Sequence, residues 1–528
     1  MFRITLTVLA ACLAVACESE PEAPEEAATA EVDELTLDPA AGIDWYQGSV
    51  DDAFAHAREA GKPIYLYWGA DWCPPCHAIG ATVFKSPEFL DRSQLFVPVY
   101  LDGDTEDAQR YGEEFGVRGY PTMIVFDPNG AEVTRIPSGI DLQAYANVLD
   151  LTLADTTPAK QLVDLVMSSD AALAMQDCTL LAYYSWGQDT QILTDHDAGD
   201  AFRRMHAACP ANLTAERSIL YLAWLDEAMQ AASDEDNPVE MNTAQREEAL
   251  RVVRDVLSDE ELVKANIFDV LLSGADYASA LTDAGSTERR QLLEEIYAAL
   301  ERIAADDKIY KRERIYTLAG KIELERIDNP EADLSSELQQ EIKDMVIWAD
   351  ESTPNVYERQ DIINALGNVL DDAGMDDVAK PMFLAELERS KQPYYFMVNL
   401  ADIEQRAGNY DVAIDWLKQA YDATTGPATR FQWGYYYLTG LIEMAPADTQ
   451  RIHDTTVALI DELQNTGGLY HRPKGQLNRI EKYLLDWGAD GERQAALKQI
   501  RESVLAVCAI ASHQGTPRDT CEAFLESA

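Results

Sequence analysis

The chain reads as two folds in series: an α/β domain with a mixed sheet between helical layers, then an all-helical array. Three observations predict this. Strand-like and helix-like patterns alternate from Trp45 to about Thr152, strand signals cease after residue 155, and a helical pattern further on recurs every 34 residues. A length of 528 residues exceeds one ordinary core.

The first residues read as an address rather than as fold. Met1-Phe2-Arg3 carries positive charge, Ile4 to Ala16 is apolar, and small residues precede Cys17. Ala14-Val15-Ala16-Cys17 resembles a bacterial lipoprotein cleavage box, which implies a signal at 1–17, lipidation of Cys17 and anchoring to an envelope membrane on the periplasmic side. Leu9-Ala10-Ala11-Cys12 fits that box slightly better but leaves an unusually short signal, and simple secretion is the alternative to lipidation. Residues 18–42, acidic and Pro-rich from Glu18 to Glu26, read as a disordered tether. The whole chain carries 93 acidic against 42 basic residues, a formal charge of −51, which excludes nucleic acid as a partner.

The α/β domain spans 43–154. Asp51 to Ala60 is an amphipathic helix closed by Gly61, and Pro63 to Trp68 is a buried strand. A helix begins at the cysteines, and Leu95 to Leu101 is a second strand. Thr105 to Phe115 is a helix ended by Gly116. Met123 to Phe126 and Glu132 to Ile136 are hairpin partners around the turn Asp127-Pro-Asn-Gly130, and Asp141 to Leu153 is the last helix.

Between the first strand and the next helix stands Trp72-Cys73-Pro74-Pro75-Cys76-His77. A cysteine at a helix start meets unpaired N–H groups and the positive end of the dipole, which favour thiolate, the reactive form. Cys76 lies one turn on, placed to resolve a mixed disulfide formed at Cys73. Pro74 and Pro75 suit the first helical positions but remove two donors from the Cys73 thiolate, whereas the dipole and His77 push the opposite way. His77 either tunes Cys73 or is a solvated first-turn residue. Cys73-Pro-Pro-Cys76-His77 also fits covalent haem attachment, and Cys73, Cys76 and His77 fit part of a zinc set. The preceding strand and the absence of a second ligand pair argue against both, so no metal and no cofactor beyond the redox-active Cys73–Cys76 pair is expected.

Trp72-Cys73-Pro74-Pro75-Cys76, the strand before it, Tyr120-Pro121-Thr122 some forty residues later and the closing hairpin together resemble the thioredoxin superfamily. Glu59 to Tyr67 and the long helix after the cysteines resemble its exported branch, which includes the C-terminal domain of the disulfide-interchange protein DsbD. The resemblance covers about a fifth of the chain. It implies the thioredoxin fold, a cis bond before Pro121, and substrate contacts from Trp72, Tyr120, Pro121 and Thr122. Two positions depart from the family pattern. Tyr67 replaces a buried carboxylate that assists loss of the proton from the second cysteine, and Ala81 replaces a helix-bending proline, predicting a straighter helix.

Residues 155–528 read as a helical solenoid. Leu366, Gly367, Gly374, Ala379 and Phe383 recur as Leu400, Ala401, Gly408, Ala413 and Leu417, each 34 residues on. This resembles tetratricopeptide repeats near 360–424, with Trp433 to Leu463 a degenerate third. Trp433, Tyr435, Tyr436 and Tyr437 read as solenoid packing, and the acidic run Asp102 to Asp107 as a solvated helix start. Cys178 with Cys209, and Cys508 with Cys521, are candidate structural disulfides in an oxidising compartment.

These readings converge on an exported thiol–disulfide oxidoreductase acting on protein dithiols or disulfides, supplied by an upstream redox partner, with the helical domain recruiting client or partner. The rival reading is an envelope scaffold whose solenoid is the working part. A third is a dedicated reductant for cytochrome c or metallochaperone assembly. Redox direction stays open, because known dithiol proteins span about −270 to −120 mV and the motif does not place this one.

Overall fold

The computed structural model describes residues 42–154, 156–189, 191–234, 238–463, 471–489, 491–509 and 523–526. The expected signal, Cys17, the tether up to residue 41 and Cys521 lie outside the described residues. Among the described residues no helix is long and apolar enough to cross a membrane. Residues 39–528 form one compact unit.

The first part of that unit is a four-stranded mixed sheet, with strands β1 Ile64–Gly69, β2 Val97–Asp102, β3 Thr122–Phe126 and β4 Glu132–Ile136 in the order β2-β1-β3-β4. β1 runs parallel to β2, with Ile64 opposite Val97, and antiparallel to β3, with Ile64 opposite Phe126. β3 pairs antiparallel with β4, Met123 opposite Ile136. Helices α1 Val50–Ala60, α2 Pro74–Ala81, α3 Pro87–Ser93, α4 Glu106–Glu114 and α5 Leu142–Thr152 cover the sheet. β1 is buried along its whole length, as expected of a central strand covered on both faces. Its alternate residues divide the layers. Ile64, Leu66 and Trp68 share a core with Ala53, Ala57, Ala108 and Tyr111 of α1 and α4. Tyr65 and Tyr67 share another with Ile79, Phe89, Tyr145 and Leu149 of α2, α3 and α5.

The helix after the cysteines is shorter than its sequence pattern suggests. α2 stops at Ala81, a 3₁₀ turn covers Val83–Lys85, and α3 restarts at Pro87. Proline at 87 disfavours a helical Ser86, which instead adopts φ −74°, ψ 138° and caps α3 by accepting the Phe89 N–H at 3.2 Å. Replacing a bending proline with Ala81 therefore does not yield a long straight helix, because a second proline breaks it six residues later.

Beyond residue 155 the described residues are helical. The core under α2, α3 and α5 continues into this region through Leu162, Leu181, Leu220 and Leu271, so sheet and first helices share one interior. A Cys178–Cys209 disulfide ties helix Met175–Ala182 to the residue capping helix Ala198–Ala208. Cys508 is also disulfide-bonded. Further on, helices pair in register: Val356–Ala373 with Asp376–Arg389, Pro393–Arg406 with Tyr410–Ala423, and Pro427–Met444 with Thr449–Leu463. The recurring residues occupy equivalent places. Gly374 and Gly408 turn between paired helices at φ 69° and 77°, and Ala379, Ala413, Phe383 and Leu417 are buried between them.

Candidate functional site

The site is built where β1 runs out. Gly69 and Ala70 end the strand, and the Cys73 N–H donates to the Ala70 carbonyl at 3.1 Å, turning the chain into α2. Cys73 is the N-cap residue of α2. With Pro74 and Pro75 in the first turn, the Cys76 N–H is the amide that reaches Cys73 Sγ, at 3.2 Å. Cys73 and Cys76 are joined by a disulfide. The Tyr120–Pro121 peptide is cis, placing Tyr120 beside Trp72 with ring centroids 6.1 Å apart. Trp72, Tyr120, Ala70 and both cysteines form one small apolar cluster.

His77 does not bring a cation to this cluster. Its Nε2 donates to the Asp71 carbonyl at 2.6 Å, which fixes the tautomer, and its ring lies 5.5 Å from Tyr357. Burial lowers its pKa, outweighing the Asp71 carbonyl and charge. Tyr67, at the family's carboxylate position, is buried between Phe84 and Tyr100, and burial holds its hydroxyl protonated far above the usual phenol range. Trp68 is fully buried and donates its indole N–H to the Ala108 carbonyl at 3.2 Å. Among the described residues no group of three or more His, Cys, Asp or Glu side chains is arranged to hold a metal.

The helical region sits over the dithiol. Helix Val356–Ala373 packs along α2. Trp433, from helix Pro427–Met444, meets Trp72 edge-on with centroids 5.4 Å apart, held by its own N–H on the Tyr394 carbonyl at 3.3 Å. Thr429 donates its backbone N–H and its hydroxyl to Asp104, at 2.8 and 2.5 Å. On the other flank Gln188 donates to the Pro121 carbonyl at 2.8 Å and accepts from the Thr122 hydroxyl at 2.8 Å. In this arrangement Cys73 is only 1% exposed and Cys76 7%.

The structure thus gathers Trp72, Cys73, Pro74, Pro75, Cys76, His77, Tyr120, Pro121 and Thr122 around the end of β1. It adds four residues that sequence reasoning missed: Asp104, Gln188, Thr429 and Trp433. Two had a visible trace, Asp104 in the acidic run and Trp433 in the aromatic cluster, but neither trace pointed toward the cysteines. Gln188 and Thr429 had none.

Comparison with known proteins agrees with this geometry. Residues 50–152 match the family described as thioredoxin-like domain. The chain is 32% identical over 104 residues to thiol:disulfide interchange protein DsbD 1 of Pseudomonas aeruginosa, covering 19% of this chain and 18% of that protein. It is 26% identical over 98 residues to nucleoredoxin of Bos taurus, 14% of this chain and 22% of that protein. It is 30% identical over 87 residues to thioredoxin H-type of Oryza sativa subsp. indica, 16% of this chain and 66% of that protein. The chain thus spans under a quarter of the length of the first two. A cysteine pair at a helix N-terminus, a cis-proline alongside and the matched stretch together make residues 50–152 a thioredoxin-like domain with a thiol–disulfide oxidoreductase site.

Proposed function

We propose that the protein is an exported, lipid-anchored thiol–disulfide oxidoreductase that exchanges disulfides with protein clients through Cys73 and Cys76. The observation that carries this is the disulfide between the N-cap residue of α2 and the residue one turn on, next to the cis-proline. In the reducing direction the Cys73 thiolate attacks one sulfur of a client disulfide. The client S–S bond breaks, and its second sulfur leaves as a thiolate that takes up a proton. Cys76 then attacks Cys73, releasing the first client sulfur as a thiol and closing the Cys73–Cys76 disulfide. Two electrons and two protons have passed to the client, and a dithiol-bearing redox partner must return them before the next cycle. No further cofactor takes part. The oxidising direction is the same sequence run backwards.

Export rests on the apolar leader ahead of Cys17, and anchoring on the small residues before it. The helical region acts in client or partner selection, a reading supported by its position against α2.

The test is insulin reduction by the full chain with dithiothreitol as electron source. Wild type should accelerate it, Cys73→Ser should fall to the uncatalysed rate, and Cys76→Ser should accumulate a mixed disulfide with the client. Equal rates for wild type and Cys73→Ser would leave the scaffold reading in its place.

A further inference from the structure

We infer that Trp433 and Gln188 are specificity-determining residues: the dithiol stays closed to protein disulfides until the helical face at residues 356–444, carrying Trp433, draws back from α2 and the Gln188 side chain rotates off Pro121 and Thr122. The inference rests on the exchange reading above and says which substrates that site admits.

Attack on Cys73 Sγ, or by it, needs a line of approach along the S–S axis, and exchange rates depend on that access. With Cys73 1% exposed, the closed form leaves almost none. The closure comes from the chain's own residues at the positions where the resemblance puts a client. Trp433 covers Trp72, and Gln188 has already taken the carbonyl of Pro121 and the hydroxyl of Thr122. A client peptide must displace the amide and the indole together.

The seam is also built to part. Its apolar contents are two small clusters bridged by Trp72: Ala70, Cys73 and Cys76 on one side, Tyr394, Ala420 and Trp433 on the other. Their buried members lie outside the cores beneath the sheet and within the helix pairs, which they touch through Tyr120 and Val398. Other links across the seam include the packing of helix Val356–Ala373 along α2, the Asp104–Thr429 hydrogen bonds and the His77–Tyr357 contact. Segments joined through few apolar contacts are those that open below the free energy of global unfolding. Gln188 differs, because its neighbours Leu181, Tyr184 and Ile192 belong to the core shared with the sheet. It stays in place when the face departs and yields by side-chain rotation.

The full-length oxidised chain provides the test. Dithiothreitol reduces the Cys73–Cys76 disulfide, maleimide traps the freed thiols, and peptide masses report the rate. Insulin turnover and the dithiol reduction potential are measured in parallel. Trp433→Ala should speed reduction about tenfold, and Thr429→Val, which weakens the seam away from the sulfurs, about threefold, as expected when an opening equilibrium shifts by about 1.4 and about 0.7 kcal/mol. Gln188→Ala should raise insulin turnover, with the potential unchanged in all three. Thr429→Val keeps the test decisive if Trp433→Ala melts early. Reduction no faster than wild type in folded Thr429→Val and Trp433→Ala overturns the inference. Faster reduction by dithiothreitol without insulin turnover in any form keeps the gate and removes the exchange reading. Insulin turnover that the variants leave unchanged keeps that reading and removes the gate.

Discussion

His77 stands one position past the second sulfur, where a cation would help hold Cys73 ionised. Burial against Tyr357 keeps its pKa below the usual imidazole value, so at neutral pH it is uncharged and leaves Cys73 to the helix terminus. His77→Gln should therefore shift the pH midpoint of Cys73 alkylation in the reduced protein by less than about half a unit. A larger upward shift would show that a charged imidazolium supports the thiolate. Arg359 shows the opposite design, a charge kept buried by pairing. Its guanidinium binds the Glu386 carboxylate, itself 2% exposed, with hydrogen bonds of 2.7 to 2.9 Å, and also pairs with Asp350. Arg359→Met leaves the buried Glu386 carboxylate to the longer 3.4 Å contact with Arg389 and should cost about 3 kcal/mol, read as a fall in the urea midpoint. Trp68 in the core and the Cys73 cap were legible residue by residue, since strand alternation and helix-start chemistry are local. The neutrality of His77 was not, because the group that buries it is 280 positions away.

At the scale of elements, the glycines between paired helices do two jobs. Gly374 has φ 69° with nothing near a prospective Cβ, so Gly374→Ala meets only backbone strain, and should cost about 1 kcal/mol. Gly367 is helical, but a Cβ there would lie 2.6 Å from Phe383 Cζ, so Gly367→Ala must push the paired helices apart. We expect it to be the more damaging of the two in chemical denaturation, by 1–3 kcal/mol or about the usual cost of overpacking. Equal losses would mean that Phe383 swings aside freely. These pairs were legible because small residues, which permit helix contact, repeat at a fixed interval. The interruption between α2 and α3 was written in Ser86-Pro87, yet periodicity on both sides suggested one long helix; capping outweighs periodicity at that point.

For the whole molecule, stability and access are set by long-range pairings that leave no local signature. The Tyr277 hydroxyl lies 3.0 Å from an Asp226 oxygen and 3.3 Å from one of Asp269, linking helices Thr214–Ala232, Ile267–Leu272 and Gly274–Leu281. Burial pushes Asp226 up to about 6 and Asp269 up to about 7, each helped by its neighbours' negative charge. The native state therefore keeps protons that the unfolded chain gives up between about pH 4 and 7, and stability drains as pH rises through that window. Asp269→Asn should exceed wild type in urea midpoint near pH 8 and match it near pH 4; the reverse order would mean that ionised Asp269 stabilises the fold. The mixed sheet and the dithiol could be read from the chain because their parts lie within about a hundred residues. The cover over the dithiol could not, since Asp104 and Thr429 stand 325 residues apart. That separation has a consequence in time. Chains fold from the N-terminus as they emerge, so the reactive pair and the interior that its sheet shares with the first helices can form before Thr429 and Trp433 are present to cover it. A newborn chain is thus at its most promiscuous toward passing thiols, and finishing the C-terminal half is what disciplines it.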